Sequence, residues 1–250
     1  MFTIGPPMWG AQSDPLFANV IALLHLNDGA AVVAPFVDSS SYAGTQTGVA
    51  TLATTTADAK FGASSLQRPA GTTTNSGWPT EFGGNLWKTV KTISVAANSP
   101  ITLEAWVKVP AAVSGGTKLL RVWFRNAGLV NVDYDLNWSG GGGGSVWTCN
   151  RNDSTLRATT SADTPPHAAF RHIALSLTPG GTGYFFVDGT QVGASFAVGT
   201  CGVSDEVGIT IFNGDGAGAA GAILVDEVRV TLAARYAASF TPPSSEFPNN

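Results

Sequence analysis

Three kinds of residue in this chain could do chemistry. The first lies along Asp133-Tyr134-Asp135-Leu136-Asn137. Strand alternation places Asp133, Asp135 and Asn137 on one face. Two carboxyl groups so placed could flank a glycosidic bond, as its hydrolysis requires. No glutamate accompanies them, and the run reads equally as a polar strand face opposite Tyr134, Leu136 and Trp138. The second kind is aromatic. A sugar ring stacks its apolar face on an aromatic plane and offers hydroxyls to directional polar groups. Of seven tryptophans, Trp78 and Trp87 lie at the Gly/Asn-rich stretch 71–86, a loop by composition. Arg121 and Trp123 share one strand face with Arg125. Trp138 and Trp147 flank the glycine run 140–144, a surface loop. Trp78, Trp87, Arg121, Trp123, Trp138 and Trp147 are therefore the candidates for binding a glycan or a protein partner, since Trp and Arg also dominate protein interfaces. Each could equally be core, as Trp106 is expected to be. The third kind is histidine and cysteine, where spacing mainly excludes. His25, His167 and His172 form no zinc-type pair. No Gly-x-Ser-x-Gly elbow frames a nucleophile, and the glycine run lacks the lysine and strand-helix setting of a phosphate loop. Cys149 and Cys201 allow one bridge at most, and a disulfide or two buried thiols both fit.

The elements that must position these residues are strands. The chain has 250 residues, 44% hydrophobic and 12% charged, with a formal net charge of −4. The apolar share is too high for disorder. The acidic balance excludes a basic nucleic-acid footprint. The run 20–26 contains His25 and is too short to span a bilayer, so no membrane insertion is expected. The sparse charge suits a subunit covered by neighbours, in a homo-oligomer or larger assembly. Short β-like runs at 20–26, 101–109, 118–125, 130–138, 145–150, 170–177, 183–187, 207–212 and 222–231 are separated by turn-forming clusters. Such spacing predicts an all-β chain, an antiparallel β-sandwich of the jelly-roll kind, not βαβ units. In 101–109, Ile101, Leu103, Ala105, Val107 and Val109 form the expected core face. In 170–177 it is Ile173, Leu175 and Leu177. In 222–231, Ile223, Val225, Glu227 and Arg229 alternate against Leu224, Asp226, Val228 and Val230. Asp188-Gly189 signals a tight hairpin turn. Residues 232–238 could make one or two helical turns. A proline-bearing arm over 1–17 and one domain over 18–250 are expected, with Phe240-Thr241-Pro242-Pro243 packed extended against it.

Several stretches carry a family resemblance. Leu23-Leu24-His25-Leu26-Asn27-Asp28-Gly29, then Asp38-Ser39-Ser40, open it. Lys60-Phe61-Gly62-Ala63-Ser64-Ser65-Leu66, Ile101-Thr102-Leu103-Glu104-Ala105-Trp106-Val107-Lys108, Arg171-His172-Ile173-Ala174-Leu175 and Phe186-Val187-Asp188-Gly189 continue it in order. Together they resemble laminin-G-like, concanavalin A-like domains. The end of the chain, Val225-Asp226-Glu227-Val228-Arg229-Val230, then Ala234-Arg235-Tyr236 and Phe240-Thr241-Pro242-Pro243, is similar to the version found in tailed-bacteriophage virion proteins. The resemblance implies a concanavalin A-like sandwich. It also implies a non-enzymatic virion surface protein, a capsid decoration or tail-associated subunit that binds other virion proteins. An alternative is a receptor-binding module for host surface polysaccharide; a glycan hydrolase using Asp133 and Asp135 is a third reading. In related sandwiches early and late acidic residues can hold a structural calcium, which needs several oxygen ligands. Asp28, Asp38 and Asp226 are the matching positions, with Asp205, Glu206 and Asp215 as further carboxylates. The same aspartates could instead cap turns, with Asp226 and Glu227 paired to Arg229 or Arg235. The first basic residue is Lys60, so the start offers no Sec-type signal. A virion protein made in the host cytoplasm and released by lysis is the expectation.

Overall fold

A computed structural model describes residues 13–32, 35–42, 44–48, 52–68, 85–109, 115–126, 129–140, 146–151, 156–159, 169–178, 181–198, 202–213 and 222–250. These contain β1 (Val20–Leu24), β2 (Thr45–Gly48), β3 (Ala53–Thr55), β4 (Ser65–Arg68), β5 (Asn85–Val95), β6 (Ile101–Lys108), β7 (Gly115–Asn126) and β8 (Leu129–Gly140). They continue with β9 (Val146–Arg151), β10 (Leu156–Thr159), β11 (Arg171–Leu177), β12 (Thr182–Val187), β13 (Thr190–Gln191), β14 (Phe196–Ala197), β15 (Ser204–Asn213) and β16 (Ile223–Thr231). The first sheet has the order β13-β12-β11-β6-β16-β4-β3, with β1 also on β16 and β14 on β12; the second runs β10-β9-β8-β7-β15-β5-β2. The chain is all-β and antiparallel. Among the described residues no helix is long and apolar enough to cross a membrane.

All nine expected strands are present. Outside those nine runs lie β2, β3, β4, β5, β10, β13 and β14, of which β5 is the longest. Trp87, assigned to a loop by composition, lies within it and pairs with Ile211 and Gly48. The positions of β5 opposite Val207 and Ile209 are Lys91 and Thr89, both buried. Polar residues at core-side register break the apolar alternation that marks the other strands. Residues 232–238 are irregular, not helical.

The core forms where the two sheets face each other. The predicted faces of β6 and β11 meet Leu120, Val122, Phe124, Tyr134, Leu136, Trp138, Val207, Ile209 and Ile211 of the second sheet. β16 departs from strict alternation. A bulge between Asp226 and Arg229 breaks its register on β6, and Glu227 takes a φ of 50°. One extra residue exchanges inward for outward along the strand. Val225 before the bulge and Val228 and Val230 after it therefore all reach the core.

The outward face of the first sheet is buried too, beneath the chain's own ends. Phe240 stacks on Tyr236 at 3.6 Å and meets His172 edge-on at 5.7 Å and Phe186 at 5.2 Å. Its amide donates to Gly189 O at 2.8 Å. Gly189 completes the predicted Asp188-Gly189 turn with a φ of 72°. A Cβ there would stand 1.9 Å from Phe240 O, so this position needs glycine for conformation and for space. The amide of Asp14 donates to Asn250 O at 2.9 Å, bringing the two ends together.

Charge beneath these segments is matched. Arg229 Nε donates to Glu104 Oε1 at 2.9 Å and its Nη1 to Asp14 Oδ2 at 3.2 Å. Arg235 grips both Asp14 oxygens, at 3.0 and 2.6 Å. Tyr236 donates its hydroxyl to Glu104 Oε2 at 2.8 Å. Arg229 and Arg235 thus serve Glu104 and Asp14, not Asp226 and Glu227 as the sequence suggested. Burial raises the Glu104 pKa, but Arg229, His172 and Arg235 outweigh it and hold the carboxyl far below the usual range. Burial likewise raises Asp14 and Arg235 more than reverses it.

Both carboxylates are lowered relative to the unfolded chain, so their contribution is present above the ordinary carboxylate pKa and is lost as pH falls through the folded values. The urea midpoint should drop between pH 6 and pH 3. Glu104→Gln should cost about 3–5 kcal/mol at neutral pH by leaving Arg229 buried without its partner, and should flatten that acid dependence. An equal pH slope in the variant would refute the assignment. On the outward face of the second sheet, a Cβ on Gly208 would stand 1.8 Å from the Trp123 indole. Gly208→Ala should therefore destabilise by about 1–3 kcal/mol and alter the tryptophan emission, checked by denaturation followed in fluorescence.

Candidate functional site

With the first sheet covered by the chain ends, the outward face of the second sheet is the surface whose side chains are not explained by packing alone. Register assembles it. Asp135 of β8 stands opposite Arg121 of β7, which stands opposite Thr210 of β15. The next row sets Trp123 opposite Gly208, and the next Arg125 opposite Glu206. Asn137 lies two residues along from Asp135 and shares its face. Leu120, Leu136 and Ile211, one step away on each strand, point into the core. Alternation alone sends the polar set outward.

The face is enclosed. Arg121 is 5% exposed, Trp123 1%, Asp135 4%, Asn137 6% and Thr210 1%. Arg121 Nε lies 3.5 Å from Asp135 Oδ1. Arg125 pairs with Glu206 and sets its guanidinium 5.6 Å from the centre of the Trp123 ring. Asn137 Oδ1 and Thr210 Oγ1 are buried with no hydrogen-bond partner among the described residues. An enclosed acceptor without a donor is costly, and two of them on one face mark a place where hydroxyl or amide donors from outside would be accommodated. Asp135 and Arg121 form an ion pair across β8 and β7. Asp133 pairs with Trp123 in register, and its side chain lies outside the described residues.

The remaining predicted residues divide. Trp138 is fully buried in the core, where it packs between the sheets and offers no stacking surface. Trp123 faces outward as its phase demands, but it lies closed against Gly208 and is no open platform. Trp147 pairs with Trp138 across β8 and β9, and its side chain, like that of Trp87, lies outside the described residues. Trp78, Cys201 and the loop 141–145 also lie outside them, as does the side chain of Cys149.

The calcium set is not assembled. Asp38 Oδ1 accepts the amides of Leu23 and Ser40 at 3.1 and 3.0 Å, and its Oδ2 pairs with the buried ammonium of Lys91. Asp226 accepts the amides of Lys60, Phe61 and Glu227 at 2.7, 3.1 and 2.9 Å. Burial pushes its carboxyl up to about 7 against those donors. Asp28 keeps a buried Oδ2 without a partner. Among the described residues, the side chains that do converge are His25, Glu227 and Glu246. His25 Nδ1 stands 2.9 and 3.0 Å from the two Glu227 oxygens. Burial lowers the imidazole pKa, but Glu227 more than reverses this and holds it above its ordinary value. The sequence reading missed this grouping because its members are far apart in the chain. It also missed Thr210 and Gly208, although the alternation of Val207, Ile209 and Ile211 places both on the outward face.

Known proteins bear on this arrangement. No curated protein matches the chain in sequence. Among solved structures, the ligand binding domain of botulinum neurotoxin serotype D in complex with N-acetylneuraminic acid superposes with a TM-score of 0.57 at 8% identity, over 88% of this chain and 49% of that one. A botulinum neurotoxin type C structure, described by a cell entry dependent on two ganglioside molecules, gives 0.53 at 12% identity, over 88% and 49%. A Trypanosoma rangeli sialidase with 2,3-difluorosialic acid gives 0.52 at 14%, over 88% and 31%. The chain thus spans about half the length of the toxin domains. These likenesses establish the sandwich. The model of the concanavalin A-like lectin/glucanases superfamily, Laminin_G_3, matches residues 82–239, which run from β5 through β16 and include every strand that builds the outward polar face. The chain belongs to that superfamily.

Proposed function

We propose that the chain is a non-catalytic glycan-binding module whose ligand is received on the outward face of the second sheet. The observation that carries this reading is the pair of enclosed, unpartnered acceptors, Asn137 Oδ1 and Thr210 Oγ1. They lie beside a charged pair, Arg121 and Asp135, and an indole, Trp123. Sugar hydroxyls donate to such acceptors and accept from guanidinium groups. The solved toxin domains, one with N-acetylneuraminic acid and one tied to gangliosides, support a saccharide as the ligand class. Hydrolysis would need a second carboxyl across the scissile bond from Asp135, and Glu206, a further described carboxyl on this face, is ion-paired with Arg125 as Asp135 is with Arg121. The setting we infer is the surface of a tailed-phage particle, where the module would sit on other virion proteins and meet host surface polysaccharide. The likeness of the chain's end to phage virion proteins supports that setting.

Two measurements test this. Thr210→Val keeps shape and removes an unpaired oxygen, so it should hold or raise the melting temperature. It should nevertheless weaken glycan binding by roughly tenfold, the loss of about one hydrogen bond. Calorimetric titration with sialylated and neutral oligosaccharides reads both wild type and variant. Wild type silent across a broad panel, or a variant that binds unchanged, overturns the site. For the setting, quantitative mass spectrometry of purified particles should find the chain in fixed ratio to the major capsid protein. Its absence from particles removes the virion reading and leaves the glycan reading standing.

A further inference from the structure

Three segments distant in sequence meet beside the bulge of β16. His25 follows β1, Glu227 is the bulged residue itself, and Glu246 lies in the C-terminal segment. One donor atom from each lies within 4.8 Å of the others. We infer that His25, Glu227 and Glu246 bind one divalent transition cation, with Zn2+ as the fitting class, and that the ion fastens the C-terminal segment to the first sheet.

Two independent observations support the site. The first is charge. Glu227 is fully buried, and Glu246 adds a second carboxylate beside it. Their charged or polar neighbours are His25, Asn27 and backbone amides; among the described residues no lysine or arginine ion-pairs with either. Lys60, whose amide serves Asp226, sends its ammonium over the Trp106 ring at 3.9 Å instead. Two carboxylates, Glu227 and Glu246, face one imidazole, and a divalent cation among them would balance the charge. The second is preorganisation. Phe247 N donates to Glu227 Oε2 at 2.8 Å, and Asn27 Nδ2 to Glu246 Oε1 at 2.8 Å. Asn27 is itself fixed, since its Oδ1 accepts from Ala63 N at 3.1 Å and its amide lies over Gly62, where a Cβ would stand 2.1 Å away. Each carboxylate is thus held by an outer partner, as ligating carboxylates are.

The donor set selects the ion. Nitrogen and oxygen donors about 3 Å apart fit bonds of about 2.0–2.2 Å to zinc. One imidazole with two carboxylates leaves an open fourth position for water. Calcium wants six to eight oxygens and gains nothing from imidazole.

The test uses the whole chain after treatment with a chelator. Zn2+ should bind one per chain by calorimetry and raise the melting temperature, and Co2+ should give the visible absorption of a four-coordinate site. Hydrogen exchange of residues 240–250 should slow on Zn2+ addition. Glu246→Gln alters an exposed side chain, so the variant should fold as wild type and lose at least about tenfold in Zn2+ affinity. Absence of Zn2+ binding, binding that Glu246→Gln leaves unchanged, or preference for Ca2+ over Zn2+ would each overturn the proposal.

Discussion

The structure depends on one buried carboxylate. Glu104 sits on the outward face of β6, at the middle of the first sheet, where a solvated residue would serve a plain sandwich. It is instead sealed, and Arg229, Arg235, Tyr236 and His172 gather around it. Those partners come from β11, β16 and the segment that follows β16. Satisfying a single buried charge therefore draws the C-terminal segment over the sheet, and Asp14, bridging Arg229 and Arg235, draws the N-terminal segment after it. The aromatic layer of Phe186, Tyr236 and Phe240 then fills the space that the charges leave.

This closure gives the two sheets different tasks. The first is packed by the core on one face and by the chain ends on the other, and most of its outward charges answer to each other. The second carries an enclosed polar face on which Asn137 Oδ1 and Thr210 Oγ1 have no hydrogen-bond partner among the described residues. The bulge at Glu227 belongs to the first sheet: it restores Val228 and Val230 to the core while turning a carboxylate toward His25.

Much of this was legible in the sequence, and the rest was hidden for definite reasons. The period-2 runs of β6, β8 and β11 announced both the strands and their two faces. The same period placed Arg121 and Trp123 outward. It could not say that the outward face would be enclosed, so Trp123 reads as a candidate platform in the sequence and lies shut against Gly208 in the fold. Trp138 stands beside a glycine run, which suggests a loop-edge surface, yet its phase with Tyr134 and Leu136 directs it inward. β5 escaped notice because Lys91 and Thr89 occupy core-side positions, and a buried lysine is intelligible only once Asp38 is brought to it. The bulge in β16 hid behind a nominal alternation that its extra residue interrupts. His25 and Glu227 lie 202 positions apart, beyond the reach of any local pattern.

The hydrogen bond between Asp14 and Asn250 has a geometric consequence. Asp14 and Asn250 meet on the covered side of the first sheet, and the same Asp14 holds Arg229 and Arg235. Loss of that one carboxylate would therefore loosen the segment before β1 and the segment after β16 together, as two flaps pinned by a single rivet.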